Sequence, residues 1–338
     1  MRLPLIKEHI EGVDLARIVG ALGIVIFHFV CIDGPMPDFL YTSANCRWGQ
    51  IWVALFFALS GACIARSNTE TPVGLFYMKR WMGVFPVFFI AYLVVFAVKL
   101  VMHGNWWAGI DWHTFPLTLI GMDTYFYYIK PNFACVGEWF IGALLVCYLL
   151  FPLLRKLLQF APISTALVLL LGCWFIPFWP WFDVHPWRNL WVCITIFYIG
   201  MLMAQWPALF KSKISMIVSA LLSVVWLIVP LPFKQVVPLM EIFYPILTGI
   251  TLLVFITQLG AYIERLKLSK NIMPHLGKIS YPIFLVQHVV ILAVLAQWPI
   301  QTLGEGIIVL LMDIVLTFLL ADVILTIHGA LSARIKNK

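Results

Sequence analysis

The sequence predicts an all-α, polytopic membrane protein: a bundle of about ten transmembrane helices with both termini in the cytoplasm. Three observations carry that expectation. Hydrophobic residues make up 63% of the 338 and charged residues only 11%, against roughly 25% charged in a soluble domain; mean hydropathy is +0.98. Apolar runs long enough to cross the ~30 Å hydrocarbon core of a bilayer recur along the whole chain. Finally, 17 of the 22 Lys and Arg residues fall on alternate connecting segments, on the side that holds the N-terminus, and the positive-inside rule assigns that side to the cytoplasm. No long polar stretch is left over, so residues 1–338 read as a single domain with a core of about 12–328.

The first span, 13–32, is entered through Asp14 and Arg17 and has no small-residue cleavage site after it, so it reads as a span and not as a signal peptide. Arg17 and His28 are eleven residues apart, close to three turns, and share a face roughly 16 Å apart along the axis. Arg17 suits a snorkelling end residue or an anion anchor. His28 suits a hydrogen bond to a neighbouring helix or a general base. Asp14 lies three residues before Arg17, the spacing of an intrahelical pair. The second span, 48–65, contains Phe56-Phe57-Ala58-Leu59-Ser60-Gly61. Ser60 suits packing or backbone bonding; a nucleophile is the competing reading, without the strand-turn-helix setting of a hydrolase elbow.

Lys79 and Arg80 precede the third span, 82–101. With Arg17 and Arg66 they place a basic cluster on one membrane face, suited to the phosphates of a cytosolic donor. The segment Thr114–Ile129 is apolar but carries Asp123. If it spanned, every later basic cluster would move outside, so it reads as a re-entrant or interfacial piece. The fourth span, 133–154, has Glu138 and Trp139 near its outer end. Spans five and six, 163–182 and 189–207, are flanked by Trp174, Trp179, Trp181 and Trp187. These suit an interfacial aromatic belt and leave sugar stacking open. Spans seven and eight, 214–233 and 238–260, are apolar throughout. The ninth, 279–299, is entered through Gly277-Lys278-Ile279-Ser280-Tyr281-Pro282 and carries His288 at mid-membrane. The tenth, 306–328, holds Asp313 and Asp322. Ionisable groups at such depth are costly and mark function by default.

Other classes are disfavoured. The net charge of +7 comes from residues flanking spans, not from a nucleic-acid-binding stripe. The seven cysteines have no zinc-like spacing, and no metal is expected. Cys46 and Cys135 fall in expected outer loops, where a disulfide between them is open. Two function classes remain, an enzyme and a transporter or flippase of a polar solute or glycolipid, since intramembrane His, Asp and Arg suit both. No inverted repeat between the halves favours the carrier.

The order of motifs resembles the membrane acyltransferase type 3 family. The likeness runs through Asp14-Leu15-Ala16-Arg17 with His28, Phe56–Gly61, Phe76-Tyr77-Met78-Lys79-Arg80 with Pro86, Trp139-Phe140-Ile141, Tyr148-Leu149-Leu150-Phe151-Pro152, Phe197-Tyr198-Ile199-Gly200-Met201 and Leu276–Leu285 with His288. It departs at Gly83, where relatives often have a second Arg, and at Leu144, where many have a Glu. The resemblance implies a ten-helix acyltransferase of the bacterial cytoplasmic (inner) membrane. Its donor would be cytoplasmic acyl-CoA, acetyl-CoA foremost, with no permanently bound cofactor, and its acceptor a glycan or lipid-linked saccharide among membrane lipids. The family's Arg and His map to Arg17 and His28 and its helix-three Arg to Arg80; together with the basic-face reading this makes His28 and Arg17 the expected catalytic residues and Arg80, Lys79 and Arg66 the expected donor-binding ones. Asp14, Ser60, Tyr281, His288 and Trp139 would support them.

Overall fold

The computed structural model describes residues 3–32, 47–103, 112–122, 125–126, 139–178, 188–229, 240–266 and 269–336. Cys46, Cys135, Asp123, Glu138, Trp179, Trp181 and Trp187 lie outside the described residues, and with them the disulfide and most of the tryptophan cluster.

Among the described residues the chain is helical, and ten helices of 14 residues or more occupy the ten expected segments. They are α1 (Val13–Ile32), α2 (Trp48–Ser67), α3 (Val73–His103), α4 (Trp139–Phe160), α5 (Pro162–Phe175), α6 (Leu190–Met203), α7 (Lys213–Ile228), α8 (Met240–Glu264), α9 (Ser269–Gln297) and α10 (Leu303–Lys336). Seven are long and apolar enough to cross a membrane; α5, α6 and α7 are shorter apolar helices of 14, 14 and 16 residues. The largest boundary shifts are α3, which begins nine residues before its expected start, and α9, which begins ten before. Both extend through basic residues that the hydropathy reading left in loops. The segment after α3 does not span in its described part. It is a five-residue helix, Phe115–Leu119, about 7.5 Å long at helical rise, followed by a turn through Gly121 at φ 71°. A Cβ on Gly121 would sit 2.8 Å from Leu145, so the turn lies against α4.

The helices sort by burial. α2 packs on α1, α6 and α8 and is apolar around its whole circumference, the pattern of a helix enclosed on all sides. α10 does the reverse of a water-soluble helix. Ile308, Leu311, Val315, Leu319 and Val323 form an exposed stripe, while Asp313, Thr317 and Ala321 are fully buried against the bundle. An apolar stripe of that length outward and polar groups inward is the arrangement for a lipid environment. Close approach of α2 and α6 depends on two glycines. A Cβ on Gly61 would lie 2.0 Å from the Phe197 carbonyl oxygen, and one on Gly200 would lie 2.0 Å from that of Ala58. Small residues at such crossings let backbones touch, which is how helices associate without a water-driven hydrophobic force.

The N-terminal segment runs across the basic end of the bundle as a strap. Leu3 N–H donates to the Gln159 carbonyl at 2.8 Å, Ile6 N–H to Gln205 Oε1 at 3.2 Å, and Gly12 N–H to Glu264 Oε2 at 3.1 Å. Glu8 is its electrostatic anchor, accepting from Lys211 and from Arg66 Nη1 at 3.3 Å. Lys211, foremost, and Arg66 hold the Glu8 carboxyl below the ordinary carboxylate value of 4.5. A depressed folded-state value means the contribution is complete above the unfolded value and is lost as pH falls through the folded one. We therefore expect Glu8→Gln to lower the thermal midpoint at neutral pH, and the gap from wild type to close on titration below the ordinary carboxylate value. A gap that stays constant down to strongly acid pH would show that Glu8 acts through something other than its charge.

Candidate active site

Asp14 and Arg17 lie in the first turns of α1, and their side chains pair, Arg17 Nη1 donating to Asp14 Oδ1 at 2.7 Å. The pair is held from outside by α9: a Cβ on Gly277 would fall 2.1 Å from Asp14 Oδ1. Asp14 therefore rests on the bare backbone of the Gly277–Pro282 run, and it aims Arg17. Arg80 comes from the second turn of α3. Its guanidinium lies over the Phe76 and Tyr148 rings, at 5.9 and 6.0 Å to the centroids, a cation–π setting. Its Nε is enclosed and makes no hydrogen bond among the described residues. The loop before α3 is clamped by Arg155, whose Nη1 donates to the Asn68 and Thr71 carbonyls at 2.8 and 2.9 Å.

Arg17 and Arg80 line one cavity of about 830 Å³, within the ~300–1,000 Å³ of a small-molecule site. Ser60 and Tyr281 line it too. Ser60 Oγ and the Tyr148 hydroxyl are 3.0 Å apart, and the Tyr281 hydroxyl donates to the Val84 carbonyl at 3.2 Å. Pro282 has no N–H, so the carbonyl of Lys278, a cavity-lining residue four positions earlier, loses its usual helical donor. At the basic end the lining includes Lys278, His275, Asp322 and His328, with His275 Nε2 and Asp322 Oδ1 at 3.1 Å. Further in, the wall is apolar, formed by side chains such as Phe56, Ile141, Leu144 and Phe284. Gly83 and Leu144, the two departures noted in the sequence, both face this space.

His28 lies beyond the cavity lining. Its ring meets that of His288 on α9 at a centroid distance of 4.2 Å, so two histidines 260 residues apart in sequence form one deep pair. Asp322 is paired with His275, as expected of an intramembrane acid. Asp313 is buried on α10 and neither of its carboxylate oxygens has a hydrogen-bond partner among the described residues.

Three residues expected at the site stand elsewhere. Arg66 is 4% exposed; its Nε donates to the Ala204 carbonyl at 2.5 Å and its Nη1 to Glu8, so it ties α2 to the end of α6 and to the strap. Lys79 is exposed on α3 and does not line the cavity. Trp139 is buried beside Phe57 and Phe140, with the Arg188 guanidinium 5.6 Å above its ring. It stands next to Phe140, which lines the cavity, and is not itself in the lining. Conversely, Tyr148, Cys63, His275, Lys278 and His328 line the cavity without having been singled out as site residues. Cys63 sits beside Arg17. The Tyr148 position did lie in a recognised motif, but nothing in sequence tells that its hydroxyl reaches Ser60, 88 residues away.

A family model described as an acyltransferase domain matches residues 10–326, nearly the whole chain. No curated protein and no solved structure matches it.

Proposed function

The chain belongs to the acyltransferase type 3 family, and from that premise we propose that it moves an acyl group from acyl-CoA in the cytoplasm to a hydroxyl of a glycan or lipid-linked sugar. Acetyl is the expected group and the bacterial inner membrane the expected setting. Members of the family are acyltransferases, which decides between the enzyme and the carrier that composition alone left open. The observation that supports the donor assignment is the cavity with Arg17, Arg80 and Lys278 at its basic end and an apolar wall further in. A CoA thioester has that polarity: phosphates at one end, a small acyl group at the other.

Under this proposal Arg17 and Arg80 donate to phosphate oxygens, which a guanidinium engages in a bidentate fork. Asp14 keeps Arg17 in place through the 2.7 Å pair. The acceptor hydroxyl arrives from the opposite side, at His28. Its oxygen attacks the thioester carbonyl carbon while His28 takes the hydroxyl proton. The resulting tetrahedral oxyanion collapses as the C–S bond breaks. The leaving thiolate takes the proton back from His28, giving an ester and free CoA thiol. An acyl-imidazole on His28 is the two-step version of the same transfer. His288, in ring contact, steadies the His28 imidazole. Tyr281 and Ser60 carry hydroxyls near the path and are the candidate oxyanion donors.

The test is purified protein in detergent with acetyl-CoA and a cell-envelope glycolipid extract, with no ion gradient. Thiol release and an acylated product by mass spectrometry are expected. Gradient-driven uptake in vesicles without thiol release would overturn the reading. Arg80→Ala is expected to raise KM for the donor about 10-fold or more, the worth of one charged hydrogen bond at ~1.5–3 kcal/mol. Arg80→Lys should recover part of it. A KM equal to wild type would remove Arg80 from the donor site.

A further inference from the structure

Three phenylalanine rings from three helices close the deep end of the cavity. Phe56 on α2, Phe140 on α4 and Phe284 on α9 all line it. Their centroids are 5.1 Å apart for Phe140–Phe284, 6.0 Å for Phe56–Phe140 and 6.1 Å for Phe56–Phe284. That is the spacing of rings in mutual edge and tilted contact.

Two helices independently place these rings between the basic end and the histidine pair. Along α9 the order is His275, Lys278, Tyr281 and Phe284, all on the cavity, and then His288, which is not. His288 follows Phe284 by four residues, about 6 Å of rise. Along α1, a Cβ on Gly20 would lie 3.0 Å from the Phe56 ring. Gly20 is three residues past Arg17 and eight before His28, so Phe56 meets α1 about 12 Å short of His28. The rings differ from the fully enclosed core in one respect: Phe57, packed behind Phe140 at 4.5 Å, has no exposure and does not reach the cavity, whereas Phe140 and Phe284, though buried, and the half-buried Phe56 all line it.

We propose that Phe56, Phe140 and Phe284 form an aromatic gate that receives the acyl end of the donor and sets the acyl size admitted to the His28–His288 pair. The inference rests on the acyl-CoA reading above. The rings offer apolar faces and no hydrogen bond, so they accept a hydrocarbon group and reject the amides of the arm behind it, which would lose their partners there. Passage of the carbonyl toward His28 then requires the rings to part by as much as the acyl group is wide. While closed they keep the acceptor side and its water from the thioester.

The experiment measures kcat/KM for acetyl-, butyryl- and hexanoyl-CoA with wild type, Phe140→Leu, Phe284→Leu and Phe56→Trp. The Leu changes keep the sites apolar, and the Trp change works in the opposite sense. Each Leu variant is expected to raise the hexanoyl-to-acetyl ratio about 10-fold or more, the discrimination a hydrophobic pocket draws from a few methylenes. Each should also raise thioester hydrolysis without acceptor. Phe56→Trp should lower both. Ratios and hydrolysis equal to wild type in the active variants would overturn the gate and leave the acyl-CoA reading standing. A wild type that turns over none of the three thioesters would sink that reading itself, and the gate with it.

Discussion

His28→Ala is expected to abolish acyl transfer, by about 100-fold at least, the contribution of a positioned general base, with the protein still folded and inserted. The argument starts from position. His28 sits eleven residues past Arg17 on α1, outside the lining of the cavity that holds Arg17 and Arg80 and against His288. Its ring faces the His288 imidazole at 4.2 Å, and under the proposed transfer this is where the acceptor hydroxyl gives up its proton. His28→Gln separates the two roles, since Gln keeps size and hydrogen bonding but cannot accept a proton. Equal loss in the Ala and Gln variants, with unchanged thermal midpoints and unchanged KM for the donor, is the outcome expected of proton transfer. Full activity in His28→Gln would reduce His28 to a structural partner of α9. Under the same proposal His288→Ala should cost less, because His288 would act through the orientation of His28.

How much of this was legible in the chain depends on what each signal measures. Apolar run length located the ten helices of 14 residues or more among the described residues, seven of them long and apolar enough to cross a membrane. The pairing of Arg17 with Asp14 was legible because it is local, an (i, i+3) contact on one helix. What was not legible is which way a basic side chain at a helix end points. Arg66 and Arg80 read alike in sequence, yet Arg66 turns to the Ala204 carbonyl and Glu8 while Arg80 turns to Tyr148 and the cavity. α2 and α3 are apolar on every side, so periodicity names no inward face for either. The His275–Asp322 and His28–His288 contacts join residues 47 and 260 positions apart. Only packing brings them together, and no local pattern encodes it. The departures at Gly83 and Leu144 were visible as letters, and the fold gives them a place by setting both on the cavity wall.

Gly61→Ala is expected to destabilise the protein by about 1–3 kcal/mol or more, as overpacking of a tight interior does. A Cβ at this position would sit 2.0 Å from the Phe197 carbonyl oxygen and 2.9 Å from its carbon. The obstruction is backbone of α6, which has no rotamer to give way, so the helices themselves must separate. Gly200→Ala meets the reciprocal obstruction, the Ala58 carbonyl oxygen at 2.0 Å. Gly83→Ala and Gly74→Ala are the controls: an added Cβ there meets nothing within 4 Å, and neither should lower the midpoint. Separation of α2 from α6 also has a functional consequence, because α2 carries Phe56, Ser60 and Cys63 on the opposite side of the same turns, facing the cavity. Shifting α2 outward from α6 pushes those side chains into the cavity, so under the proposed function Gly61→Ala should lose affinity for acyl-CoA along with thermal stability in detergent. The double variant Gly61→Ala/Gly200→Ala should be less than additive, since the first substitution already opens the crossing that the second would have to open. Fully additive losses would show that the two glycines relieve separate obstructions and not one shared helix contact.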